Sequence, residues 1–192
     1  IATLCVPYIC LSSSRADLQW LRIAFLLPLV IVVLLVAIAW RSYDSREPFS
    51  YTPALKREWP WLLLIAAGMA IFSFFNIDPL LKAIRPDFTP DSFSAFLASL
   101  PWTALLQPLL LIIAPYTFAL RLVRRPIAGY ILVIIVQQSL HLSRLWEGDA
   151  IHVAALTFLS GGIYALVKTW SYRRWGFAAP ATLATCIQLR HL

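Results

Sequence analysis

Carboxylates are few in this chain, and none falls inside its apolar runs. All nine (Asp17, Asp44, Glu47, Glu58, Asp78, Asp87, Asp91, Glu147 and Asp149) lie in polar connections or at the edges of those runs. Proton relays, carboxylate metal sites and glutamate-based hydrolysis inside a membrane need an acidic group at depth. The sequence therefore argues against ion pumping and acid catalysis. The three cysteines (Cys5, Cys10 and Cys186) form no Cys-x-x-Cys motif, which removes zinc-binding and thioredoxin-like readings. They are expected to be buried apolar thiols. No Gly-x-Ser-x-Gly occurs, so no nucleophile elbow is present. Histidine is limited to His141, His152 and His191.

What the chain has is apolar sequence. Of its 192 residues 60% are hydrophobic and 13% charged, with a mean hydropathy of +0.76. A soluble domain is nearer half apolar and a quarter charged. The composition predicts a polytopic all-α transmembrane bundle, one domain over residues 1–192. The clearest span is Ile23 to Trp40. Trp59 to Phe75 follows, with Trp59 and Trp61 suited to an interfacial belt and Pro60 to a first helical turn. Then come Trp102 to Leu120, Ile127 to Leu142, Ile151 to Val167 and a weaker run from Phe177 to Leu189. Ile1 to Leu11 is too short to cross a bilayer and reads as the remainder of a longer helix. The expected count is six spans, or seven with that piece.

The net charge of +7 lies beside the apolar runs, which points to anionic headgroups and membrane lipids rather than to nucleic acid. With seven passes, loops 41–58, 121–126 and 168–175 share one side. They hold ten basic residues against five in the opposite connections. That bias places the three loops in the cytoplasm. Residues 76–100 are neither a span nor a polar loop. Prolines 79, 86 and 90 are expected to break the segment. Asp91 is a plausible N-cap for a short amphipathic interfacial helix, "SFSAFLASL", ending at Pro101.

One turn stands out. "VQQSLHL" sets Gln137, Gln138, Ser139 and His141 where lipid-facing residues are expected. Gln137 and His141 are four apart and share one helix face. The plain reading is that these groups hydrogen-bond to other helices and face protein. "LSGGIYALVKT" follows, with Ser160, Gly161 and Gly162 letting helices approach closely. His141 and His152 flank one short connection. A metal there would need Glu147 or Asp149 as further ligands, and no ligand motif joins them. A haem or chlorophyll-type pigment would take His141 or His152 as its axial ligand, against the small-residue face. No cofactor is required by the sequence.

From Leu109 onward the order of features resembles the CAAX-protease and bacteriocin-processing family of intramembrane proteases (the Abi family). "APYTFALRLVRRP" has Arg121 at the arginine of that family's Glu-Glu-x-x-x-Arg motif. "VQQSLHL" has His141 at its histidine. "TFLSGGIYALVKTWS" resembles its small-residue helix, and "FAAPATLATCIQLRHL" its last helix, with Pro180 in place. The likeness covers residues 109–192. The departures lie at the chemistry: Tyr116 and Thr117 stand where the glutamates belong, Gln137 replaces a phenylalanine, and Cys186 and Arg190 fall near the last histidine and asparagine. The glutamates would activate a water, which Tyr or Thr cannot do near neutral pH. The resemblance thus implies a fold of that type whose proteolytic chemistry is lost, a non-catalytic subunit packing against other membrane proteins. An active protease pairing Cys186 with His141 and a pigment- or haem-binding subunit are the alternatives.

Overall fold

The computed structural model describes Ile31 and residues 53–84, 92–145 and 151–191. Among the described residues all regular structure is helical. Helix α1, Pro53–Phe72, passes through a π turn, Ser73–Ile77, into α2, Asp78–Ile84. Helix α3, Phe93–Pro101, is continued by π turns Trp102–Leu106 and Leu109–Ile113 into α4, Ala114–Val123. Helices α5 (Pro126–Leu145), α6 (Ile151–Trp175) and α7 (Ala178–Gln188) follow, with a 3-10 turn at Leu189–His191.

Two of these continuities differ from the sequence reading. Pro79 does not end the helix, and α3 does not stop at Pro101. Proline lacks the N–H of the helical ladder and crowds the preceding turn. Here the widened turns absorb it: Asp78 N–H bonds back five residues to the Ser73 carbonyl, just ahead of Pro79. Pro101, Pro108 and Pro115 recur every seven residues, with a π turn in each interval. Pro86, Pro90 and Asp91 fall outside the described residues, as do Cys5, Cys10 and all of the first span except Ile31.

The breaks that do occur have ordinary causes. Arg124 takes the left-handed conformation (φ 57°) and its N–H caps the Leu120 carbonyl at 2.8 Å. Pro126 then opens α5 at a position where its missing N–H costs nothing. Gly176 (φ 79°) closes α6 in the same way on the Tyr172 carbonyl, at 2.8 Å. Residues 168–175, expected as a loop, are the last two turns of α6.

Helix α6 is the shared post. One face carries Ala165 and Tyr172 into a cluster with Leu106, Leu109, Ile112, Ile113, Tyr116 and Val133 from the α3–α4 segment and α5. Another carries Tyr164, Val167 and Trp175 into a second cluster with Leu62, Ala66 and Met69 of α1 and Ala179, Leu183 and Ile187 of α7. The outside is apolar too: Trp61, Phe75, Leu122, Ile127 and Leu159 are exposed. Among the described residues two helices, Arg57–Leu80 and Phe96–Val123, are long and apolar enough to cross a membrane.

The last turns of α6 meet the start of α1 and the first turns of α5. Arg174 Nε and Nη2 donate to Glu58 at 2.6 and 2.9 Å, and Trp175 Nε1 donates to the same carboxylate at 2.8 Å. The Arg173 guanidinium lies 5.8 Å from the centre of the Tyr130 ring, one turn beyond Pro126.

Close packing at Tyr116 sets the first prediction. A Cβ on Gly129 would lie 2.6 Å from Tyr116 Cε2, whereas one on Gly68 meets nothing within 4 Å. Gly129→Ala should destabilise the folded chain by about 1–3 kcal/mol. Gly68→Ala should be neutral or stabilising by up to ~1 kcal/mol through helix propensity. Thermal unfolding in detergent checks both; equal shifts would refute the packing.

Candidate functional site

Gln137 and Gln138 are both buried, at 7% and 4% exposure. They follow Gly129 and Val133 along the inner stripe of α5. Gln138 Nε2 donates to the Phe158 carbonyl of α6, close under Gly162, where an added Cβ would come within 3.0 Å of that nitrogen. The small-residue turn of α6 therefore admits the amide. Ser160 is buried beside it, its hydroxyl turned onto the Thr157 carbonyl. Gln137 faces protein, as expected. Both Gln Oε1 atoms are buried and lack a partner among the described residues. Because Gln138 spends its nitrogen on a carbonyl, its amide cannot be flipped to relieve the oxygen. His141 and His152 lie on the backbones of α5 and α6, and their side chains fall outside the described residues.

The positions that resemble the protease motif are not gathered around His141. Tyr116 is fully buried, 5.9 Å from both the Tyr130 and the Tyr172 ring centres and edge-on to each. The Thr117 hydroxyl bonds its own helix, at 2.6 Å from the Ile113 carbonyl. Arg121 is exposed at the end of α4. Helices α4 and α5 form a hairpin, so Tyr116 meets α5 at Gly129. His141 is twelve residues further along, about 18 Å at 1.5 Å per residue. Cys186 packs in the α1–α6–α7 cluster, a different interface from α4–α5. Among the described residues no three His, Cys, Asp or Glu side chains converge as metal ligands would.

The polar centre that sequence reasoning missed lies elsewhere. Asp78 was read as a loop carboxylate, and no carboxylate was expected within a helix core. It is instead 4% exposed, within the Arg57–Leu80 helix. The π turn is the reason. A five-residue turn brings Asp78 beneath Ser73, where an α-helix would rotate it about 140° away. Arg190 then grips it as a fork, Nε to Oδ2 at 2.9 Å and Nη2 to Oδ1 at 3.1 Å, while Nη1 donates to the Ile187 carbonyl at 2.6 Å. His191 Nδ1 stands 4.0 Å from Oδ2. Burial, then the Arg190 charge, pushes the His191 pKa down to about 4, so the imidazole is neutral at pH 7. One turn away, the Tyr164 hydroxyl donates to the Met69 carbonyl at 2.9 Å and receives the Ser73 hydroxyl. Helices α1, α2, α6 and α7 are thus tied through one polar knot. The available signal was slight: a lone acid closing one apolar run and a lone arginine closing another.

No family model, no curated protein and no solved structure matches this chain.

The two glutamines should respond oppositely to truncation of their polarity. Gln138→Leu loses the bond that ties α5 to the Phe158 carbonyl of α6, costing about 0.5–1.5 kcal/mol. Gln137→Leu removes an orphaned acceptor and should be neutral or stabilising. Unfolding midpoints of the two variants in detergent decide it; a larger loss for Gln137→Leu would contradict the assignment.

Proposed function

We propose that the chain is a non-catalytic integral membrane subunit: a helical bundle of six to seven spans, similar to the CAAX-protease and bacteriocin-processing proteins but serving as a packing partner in a larger membrane assembly. Its basic connections, 41–58 and 121–126 together with the charged end of α6, lie on the cytoplasmic side. One observation carries the reading. The position matched to the family's glutamate pair is filled by Tyr116, an aromatic wedge sealed between Tyr130, Tyr172 and Gly129. Such a group shapes a helix interface and has neither the access nor the basicity to activate water. The apolar outer faces of α1, α5 and α6 offer surface to acyl chains and to neighbouring helices. The bundle thus supports the function by shape, holding α4, α5 and α6 rigid around the tyrosine cluster while its rims stay apolar.

Purification in a mild detergent tests this. The chain should retain a stoichiometric membrane-protein companion and should cleave no prenylated or leader-type peptide. Elution of the chain alone, together with peptide cleavage that disappears in His141→Ala, would overturn the proposal in favour of an active protease.

A further inference from the structure

The stretch Arg121 to Ile127, "RLVRRPI", is exposed at all seven positions. It joins α4 to α5, with only Arg124 and Arg125 outside the two helices. Three of its side chains are large aliphatics: Leu122, Val123 and Ile127 are 66%, 54% and 63% exposed. Three more are arginines. Such a tip suits neither medium alone. Water leaves the aliphatics uncovered, and hydrocarbon strands the guanidiniums. The backbone of the tip is held. Arg124 N–H caps the Leu120 carbonyl at 2.8 Å, and Ala128 N–H returns to the Arg125 carbonyl at 3.1 Å. Tyr116, seated against Gly129, locks the two helices together just below. The residue at the cap is unusual. With φ at 57°, position 124 is left-handed backbone, where glycine or asparagine is the ordinary occupant. Strain of that kind gathers where a side chain has to be placed for a purpose.

The chain supplies little negative charge to this turn. No carboxylate occurs between Asp91 and Glu147. The described residues contain two carboxylates, and each is held by an arginine elsewhere: Glu58 by Arg174 and Asp78 by Arg190. The last turns of α6 add positive charge beside the tip, with the Arg173 guanidinium 5.8 Å from the centre of the Tyr130 ring in the first turns of α5. An anion that meets Arg124 and Arg125 therefore comes from outside the described chain.

We propose that the α4–α5 turn is an interfacial tip that docks on anionic phospholipid headgroups. Arg124 and Arg125 grip the phosphates, and Leu122, Val123 and Ile127 enter the acyl boundary beside them. A headgroup layer offers negative charge and hydrocarbon side by side, which is the pattern of this stretch. An acidic peptide in water would pair the arginines and leave the aliphatics bare. The guanidinium fork matches the two free oxygens of a phosphodiester. Net charge alone would spread the attraction around the whole basic end, whereas the tip concentrates it in one rigid turn. The docking rests on the membrane reading above.

Native mass spectrometry of the full chain tests this. Released from nanodiscs of equal phosphatidylglycerol and phosphatidylcholine, the chain carries the lipids it holds best. The wild type should retain phosphatidylglycerol over phosphatidylcholine, by about fivefold for each arginine engaged. Arg124→Gln with Arg125→Gln should erase most of that preference, and Arg124→Lys with Arg125→Lys should keep part of it. Leu122→Ser with Ile127→Ser should weaken retention with both arginines in place. Arg124→Gly should retain less phosphatidylglycerol, yet unfold at or above the wild-type temperature in phosphatidylcholine, because the left-handed backbone is relieved. A wild type with no preference overturns the tip. So does an unchanged preference in the glutamine pair, which would assign the lipid to other arginines of the basic end. Unchanged retention in the serine pair removes the acyl contact and with it the docking. A glutamine pair that unfolds well below the wild type in phosphatidylcholine gives the arginines an internal partner and also overturns it. The packing role is read from companions and cleavage, so it survives a failed tip, and a chain that purifies alone leaves the lipid count unaffected.

Discussion

Most buried serine and threonine hydroxyls in this bundle turn back onto carbonyls of their own helix, but its buried carboxylate and the Tyr164 phenol find partners on other helices. Those cross-helix bonds organise the α1, α6 and α7 half of the structure. Asp78 is held by Arg190 across two helices, and Tyr164 binds the backbone of α1 at Met69 and the hydroxyl of Ser73. Apolar packing alone would leave these helices free to slide, because a Leu or Ala surface is equally content one turn away. The fork of Arg190 on Asp78 and the hydroxyl pair fix register and rotation together. A buried ion pair adds little net stability over well-packed apolar residues, but breaking it leaves a charge stranded. Its service here is to select one arrangement.

The other half is held differently. Tyr116, Tyr130 and Tyr172 meet edge-on, and Gly129 admits the first of them. Aromatic faces and edges prefer this geometry, and a missing side chain on α5 lets α4 approach closely. Helix α6 belongs to both halves, with Ala165 and Tyr172 on one side and Tyr164 and Trp175 on the other. Helix α6 thus joins the tyrosine cluster to the cluster beside the Asp78 knot. Tyr116 is the packing centre of the tyrosine half of the bundle.

Much of this was legible in the sequence, and the remainder had definite physical reasons to stay hidden. The all-helical class follows from long apolar runs with tryptophan at their ends. The inward face of Gln137 follows from its place one turn after Val133. The Arg174–Glu58 pair joins the described ends of segments 41–58 and 168–175, and Arg173 reaches Tyr130 of α5, beyond segment 121–126. The π turns were not legible. Proline reads as a stop, and only the folded chain reveals that an extra residue per turn accommodates it. Asp78 was misplaced for that reason, since Asn-Ile-Asp-Pro after an apolar run looks like a turn. The last two turns of α6 read as a loop because Lys168, Arg173 and Arg174 fall there, yet Trp170, Tyr172 and Trp175 on the same turns anchor them. The candidate histidine site was legible as a pattern only; Tyr116 of α4 meets α5 at Gly129, and His141 lies twelve residues further along α5.

The account stands most directly on the pairing of Asp78 with Arg190. The decisive measurement is the unfolding free energy of the exchanged pair, Asp78→Arg with Arg190→Asp, beside each single change. Each single change should cost about 3–5 kcal/mol, the usual loss when a buried charge is left alone. The exchange should recover most of that loss. An exchanged chain no more stable than the worse single variant would show that the knot does not hold these helices together.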